Sequence, residues 1–327
     1  MIATFDIIRF NFTEPLHISN SRSDYARSEE RIRSDTLLAA IMQSWAMLGR
    51  EEWISDKPGF VTSSLCPFAS SGNETIYFFP KPVKDQPGNK VSPDLLKKFK
   101  KVRYYEKGFF EERLEDLLEI KAENVADEFL TRVFKPGDSP LYRSSVIPRI
   151  MKPREGNSDT RIFYMERREF KPGAGLFFLV RFQTEESRSR LLTGLRLLAD
   201  NGLGSDRTVG HGRFTFCEDR ISLELPSGKD HMISLSLYLP GTRNELIEGL
   251  GPCSRYELVR RGGWISEPFN TLRKRNVYMF NEGSLLSFNE NCDTVKGRVV
   301  DLKPLTLATH HAIYRSGESI FLPIKCS

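Results

Sequence analysis

The segment whose residue types point most directly to chemistry is Gly202-Leu203-Gly204-Ser205-Asp206-Arg207-Thr208-Val209-Gly210-His211-Gly212. Four glycines around an arginine exceed what a turn requires. Glycine amides unshielded by a Cβ approach phosphate oxygens closely, and Arg207 offers either a bidentate fork for a phosphate or a brace for the loop through Asp206. The pattern is not a dinucleotide fingerprint, because Arg207 stands where a third glycine is needed and the flanking order is helix to strand. It is not a Walker loop either, since no Gly-Lys-Ser or Gly-Lys-Thr is present. The plainer alternative is a tight helix-to-strand turn that uses its glycines only for positive φ.

Residues 143 to 171 are the second candidate. Arg143, Arg149, Lys152, Arg154, Arg161, Arg167, Arg168 and Lys171 alternate with Tyr142, Phe163, Tyr164 and Phe170, a mixture suited to tracking phosphates and stacking on bases. The run KPREGNSDT reads as the tip of a hairpin. A third candidate is His17 beside Ser19 and Arg22, where a general acid or base for RNA cleavage would need a fixed partner that the sequence does not supply. Asp35 and Asp206 read as isolated capping or bracing carboxylates. A further basic cluster, Arg255, Arg260, Arg261, Arg273, Lys274 and Arg275 near Trp264, suits a phosphate backbone or an acidic partner equally. Adjacent His310 and His311 point to opposite faces of a strand and make a poor metal pair. No metal site and no cofactor is expected.

These segments need a scaffold. At 327 residues the chain is long enough for about two domains. Lys+Arg 48 against Asp+Glu 43 leaves +5, which permits a polyanionic partner without demanding one. No apolar run approaches the ~20 residues of a membrane span, and MIATFDIIRF lacks the parts of a signal peptide, so a cytoplasmic protein with no membrane partner is expected. Cys66, Cys217, Cys253, Cys292 and Cys326 form no C-x-x-C pair, against a disulfide framework. Phe5, Ile7, Phe10 and Phe12 predict a strand with one buried face. Leu37, Leu38, Ile41, Met42, Trp45 and Leu48 predict a helix capped by Ser34 or Asp35 and ended by Gly49. Residues 60 to 83 read as two strands around a Ser-Gly-Asn turn. Pro93 opens a helix, and Glu111 to Glu128 is acidic and amphipathic. GLFFLVRF is a buried strand, Arg188 to Ala199 a helix, and Arg213 to Leu225 a strand. The resulting order β, α, β, β, α, β is that of a ferredoxin-like domain carrying insertions. A second domain begins near His231 with ISLSLYLP and ends at SIFLPI.

In this order the segments resemble a family, the RAMP-superfamily subunits that cap the 5′ end of the guide in type III-A CRISPR effector complexes, the Csm complexes. The resemblance rests on Pro15-Leu16-His17-Ile18, Ser34-Asp35-Thr36-Leu37, Ser63-Ser64 with Pro67-Phe68, Phe79-Pro80-Lys81-Pro82, and the glycine loop with Asp206-Arg207. It continues through Arg261-Gly262-Gly263-Trp264, Met279-Phe280-Asn281-Glu282-Gly283-Ser284, Tyr314-Arg315-Ser316-Gly317 and Phe321-Leu322-Pro323-Ile324. Ser19 and Ser205 stand where the family often has glycine, though a Ser hydroxyl still donates to phosphate. The resemblance implies an α+β chain of two ferredoxin-like (RRM-like) domains, residues 1–228 with an insertion at about 84–165 and residues 229–327. It implies no catalytic activity, recognition of the repeat-derived 5′ tag of the crRNA, and contacts to a large polymerase-like subunit and a backbone subunit. The residues assigned to RNA are His17, Ser19, Arg22, Ser34, Arg149, Lys152, Arg154, Gly202, Gly204, Ser205, Arg207, Thr208, Gly210, His211 and Gly212. The rival expectation is a RAMP-fold endoribonuclease that processes CRISPR transcripts, for which His17 and His211 are the available proton carriers.

Overall fold

The structure, a computed structural model, describes residues 1–18, 25–29, 31–72, 74–86, 92–134, 141–152, 160–226, 231–265, 269, 271–288, 295–307 and 311–325. Its mixed α+β architecture is organised by a nine-stranded sheet. The order is Phe214–Glu224, Ile2–Phe12, Gly175–Phe182, Cys66–Ser71, Glu74–Pro80, Tyr104–Glu106, Phe129–Leu130 and Val125–Ala126, with Phe60–Thr62 also paired to Gly175–Phe182. Ile2–Phe12 lies centrally and pairs with Phe214–Glu224 along its whole length, from Ile2 opposite Glu224 to Phe12 opposite Phe214.

That central position corrects the expectation of one buried face. Ile8 and Phe10 pack under the helices Ser34–Met47 and Glu185–Asn201, with Leu37, Ile41, Trp45, Leu191, Leu195 and Leu198. Phe5 and Ile7 pack on the opposite face, with Phe177, Leu179, Phe109, Phe110, Leu114 and the C-terminal residues Met232, Leu322 and Ile324. Residues on alternate sides of one strand thus serve two cores. The N-terminal half is welded to the C-terminal part through the second of them.

Residues 93–130 extend the sheet edge. Helix Pro93–Phe99 starts as its sequence predicts, with Ser92 accepting from the Leu95 amide and proline in the first turn. The acidic stretch stays helical only from Lys107 to Leu114; Asp116, at φ +61, turns the chain out. The predicted hairpin is present: Tyr142–Met151 and Arg161–Phe170 pair antiparallel over their full lengths. Its tip, with Arg154, lies outside the described residues, as do Ser19 and Arg22. Among the described residues, the C-terminal part holds one α-helix, Arg243–Gly249, and three small sheets instead of a single four-stranded one. No helix is long and apolar enough to cross a membrane among the described residues.

The start of helix Ser34–Met47 is where the two parts lock. Arg33, not Ser34 or Asp35, takes the cap position, and no side chain caps the helix. Both predicted caps have other work. Ser34 is 1% exposed and its hydroxyl accepts from the Leu237 amide at 3.2 Å. Asp35, fully buried, takes a bidentate pair from Arg261 at 2.9 Å to each oxygen, and Arg315 donates to the Asp35 carbonyl at 3.0 Å. Beside it Arg33 pairs with Glu282 at 2.7 Å, and the Ser64 hydroxyl donates to the other Glu282 oxygen at 2.5 Å. Burial alone would raise the Asp35 carboxyl, but Arg315 and Arg261 outweigh it and hold its pKa below the usual value.

Removing one partner of a buried pair strands the other charge, at about 3–5 kcal/mol. Arg261→Ala is therefore expected to lower the melting temperature by several degrees, and Asp35→Asn likewise, with strong non-additivity in the double variant. Because the folded pKa of Asp35 lies below its unfolded value, the parent keeps this stability at neutral pH and loses it as pH falls below about 4. Thermal denaturation of the four proteins at neutral and acid pH checks both points; additive losses would mean that the pair does not couple.

Candidate functional site

Helix Glu185–Asn201 stops at Gly202, and the loop that follows folds onto the segment Pro15 to Ile18. The Ser205 amide donates to the His17 carbonyl at 2.9 Å and the Gly212 amide to the Pro15 carbonyl at 2.8 Å. On its other side the same segment is held by the hairpin. Leu16 and Arg168 exchange backbone bonds at 2.9 Å, and His17 Nδ1 donates to the Glu166 carbonyl at 2.7 Å. The three candidates of the sequence, far apart along the chain, therefore meet in one place.

Within it the roles differ from those expected of the residue types. The amides of Gly202 and Gly210 bond inward, to Leu198 and Arg207. A Cβ on Gly204 would stand 2.4 Å from the His17 carbonyl, and one on Gly212 would stand 1.9 Å from that of Leu203. These glycines let backbones touch. Gly210, at φ +91, has open space around it. Asp206, itself left-handed at φ +62, is braced not by Arg207 but by Arg149 of the hairpin, Nη2 to Oδ2 at 2.7 Å. Neither Asp35 nor Asp206 is isolated, and Arg149 is half neutralised from within. The Arg207 side chain forms no ion pair or hydrogen bond with the described residues and is half-exposed, with Thr208 exposed beside it. Lys152 is exposed near the hairpin tip.

His17 is completely buried; burial lowers its pKa despite the pull of the Glu166 carbonyl, and its Nε2 meets no partner. His211 is 8% exposed. Neither presents a ring nitrogen at an open surface in the manner of a catalytic acid or base. Among the described residues no cluster of His, Cys, Asp and Glu is arranged to hold a metal.

The glycine loop forms one bank of a cleft of about 620 Å³. Helix residues Thr36, Ala40 and Gln43 make its floor, and Trp264, Lys274, His311, Tyr314 and Arg315 of the C-terminal part make the opposite bank. Its cations are Arg207, Lys274 and Arg315, and no carboxylate stands among the described residues that line it. The ring of Trp264 is covered by Arg273 at 4.6 Å. A concave surface with positive charge, aromatic rings and small helix residues is fitted to a single-stranded polyanion that carries flat bases. Sequence reasoning placed Lys274 and Trp264 in a basic cluster but not at this site. The arginine and aromatic mixture was the available signal; the pairing of Arg261 with Asp35, which turns that cluster toward the glycine loop, was not readable.

Comparison with known proteins bears on the whole chain. Residues 227–324 match the family described as CRISPR Csm4 C-terminal domain. The C-terminal part of this chain is thus similar to Csm4 C-terminal domains. The chain is also similar to the CRISPR system Cms protein Csm4 of Thermococcus onnurineus strain NA1, 24% identical over 294 residues that cover 90% of this chain and 91% of that one. Csm4 of Methanocaldococcus jannaschii is 21% identical over 91% of this chain and 92% of its own. The fold matches a chain of a Csm3-Csm4 subcomplex in the type III-A CRISPR-Cas interference complex, with TM-score 0.64, 18% identity and 98% and 100% of the two chains covered. It also matches a chain of a Csm1-Csm4 cassette in complex with pppApA, with TM-score 0.61, 19% identity and 99% of each chain covered. The likeness of fold thus covers the N-terminal half as well as the C-terminal part.

The two kinds of glycine predict opposite costs. Gly204→Ala drives a Cβ into a backbone carbonyl and is expected to reduce the melting temperature sharply. Gly210→Ala meets only the left-handed penalty of about 1–2 kcal/mol. Equal losses in calorimetry would show that packing against His17 is not what Gly204 provides.

Proposed function

We propose that the chain is a non-catalytic crRNA-binding subunit of a type III-A CRISPR effector complex. It holds the repeat-derived 5′ tag in the cleft and bridges the large polymerase-like subunit to the backbone subunits in antiviral defence. The observation that carries the RNA reading is the lining of the cleft, Arg207, Lys274 and Arg315 with Trp264 and Tyr314 and no carboxylate among its described residues. The place in the complex is supported by the likeness to Csm4 proteins along the chain and to structures of Csm1-Csm4 and Csm3-Csm4 assemblies.

We take residues 1–228 as a ferredoxin-like domain with an insertion at about 84–165, supported by the strand order Phe214–Glu224, Ile2–Phe12, Gly175–Phe182, Cys66–Ser71 with two helices on one face. Residues 229–327 form the second domain. The assigned RNA residues divide by exposure. Arg207, Thr208, Ser205 and Lys152 contact the strand. His17 and the glycines set the loop beneath it, Ser34 holds the C-terminal part through the Leu237 amide, and Arg149 holds Asp206 away from the phosphates. Ser19, Arg22 and Arg154 stay assigned to RNA on their sequence alone. The subunit works in the cytoplasm. The endoribonuclease reading is the weaker one, because His17 is fully buried against the Glu166 carbonyl and its Nε2 meets no hydrogen-bond partner among the described residues.

Coexpressed with its genomic neighbours, the chain is expected to purify in a large ribonucleoprotein carrying short RNAs of uniform 5′ end. Arg207→Ala is expected to cut RNA loading several-fold while leaving the melting temperature of the free subunit unchanged, since Arg207 braces nothing. Alone with repeat RNA, with and without Mg²⁺, the purified chain should leave the RNA intact. Single-site cleavage abolished by His17→Gln or His211→Gln would establish the nuclease reading instead.

A further inference from the structure

The cleft carries more positive charge than its surroundings neutralise. Asp35 is the carboxylate immediately behind its C-terminal bank, and both of its oxygens are taken by Arg261. Arg315 donates to the Asp35 backbone carbonyl, forms a looser ion pair with the carboxylate at 3.9 Å, and leaves its buried Nε without a hydrogen-bond partner among the described residues. Lys274 lines the same wall and forms no side-chain hydrogen bond or ion pair with the described residues. The single charge of Asp35 is thus shared by Arg261 and, more loosely, Arg315, while Lys274 has no ion-pair partner among the described residues of a concave, partly desolvated place. A charge held in such surroundings is costly without a counter-ion.

We propose that Lys274 and Arg315, facing Arg207 across the cleft, form a binding point for one RNA phosphate, with Trp264 and Tyr314 beside it for the attached base. This deepens the RNA reading of the cleft and rests on it. A phosphodiester there supplies the missing negative charge, and the ammonium of Lys274 and the guanidinium of Arg315 donate to its oxygens.

The charge state of Lys274 gives the site a measurable signature. Burial, reinforced by Arg315 and Arg261 and opposed by Asp35, pushes its ammonium down to about 7. The other ionisable groups lining the cleft among the described residues are Arg207, Tyr314 and His311. A phosphate beside Lys274 favours its protonated form, so RNA binding takes up a proton whenever the free side chain is neutral. Affinity is then high below about pH 7 and falls as pH rises above it.

The test is anisotropy of labelled single-stranded RNA of the tag sequence on the full chain, from about pH 6.5 to about pH 8.5 at fixed salt. The parent is expected to lose about twentyfold in affinity across that range. Lys274→Arg, which cannot deprotonate, should hold the low-pH affinity throughout. Lys274→Gln should bind at the high-pH level throughout, with a log-log salt slope smaller by about 0.7 at the acid end. The proposal is overturned if Lys274→Gln keeps the parent affinity, salt slope and pH profile, or if the pH dependence survives in Lys274→Arg and disappears in His311→Gln. Failure of the parent to bind the RNA at any pH, or parent-like binding by Arg207→Ala, would instead remove the cleft reading itself. Should Lys274→Gln fold poorly, the pH profile of Lys274→Arg alone decides.

Discussion

The two halves of this protein, already joined by a shared core, are held in register by a buried carboxylate. Asp35 stands at the first turn of a helix whose other face is core, so its position is fixed by Leu37, Leu38 and Ile41 before any charge is considered. Once Arg261 has closed on it bidentately, the strand Leu258–Arg261 and its partner Val277–Phe280 are tied to the N-terminal sheet. Arg33 with Glu282 and Ser64 repeats the tie a short distance away. Such pairs add little net stability over an apolar contact, but they are intolerant of misplacement, because each unpaired member is a buried charge. Their contribution is orientation.

Orientation is what the cleft needs. One bank is a glycine loop that is rigid because its backbone lies against His17 and its Asp206 is held by the hairpin. The other bank belongs to the C-terminal part. The shared core and the lock around Asp35 together hold the two banks in place, so that Arg207 and Lys274 line one space. The same residues that align the halves also set the electrostatics. Asp35 is shared by Arg261 and, more loosely, Arg315, and no carboxylate lines the cleft itself among the described residues.

Much of this was legible in the sequence, and the reasons for the exceptions are physical. The helices and the hairpin followed from local spacing and turn chemistry. The glycine loop announced itself by composition, and its convergence with the His17 segment and the hairpin agrees with their being singled out together. What each glycine does was not readable, because the answer lies in the carbonyls of His17 and Leu203. The pairs Arg149 with Asp206 and Asp35 with Arg261 join residues 57 and 226 positions apart, so both carboxylates looked solitary. Ser34 looked like a cap or an RNA ligand and is an interdomain acceptor, since the cap was read from a helix end without the second domain that covers it. The cleft itself escaped notice because its walls are drawn from five separate stretches of the chain.

The central claim is that the 5′ tag lies between the glycine loop and the Trp264 bank. Crosslinking a photoreactive nucleotide in the tag of the assembled complex, followed by mass spectrometry of the attached peptides, tests it most directly. The account predicts crosslinked peptides from both banks, one containing Arg207 and one containing Trp264 or Tyr314. Crosslinks confined to other surfaces of the chain, with both banks unmodified, would contradict it.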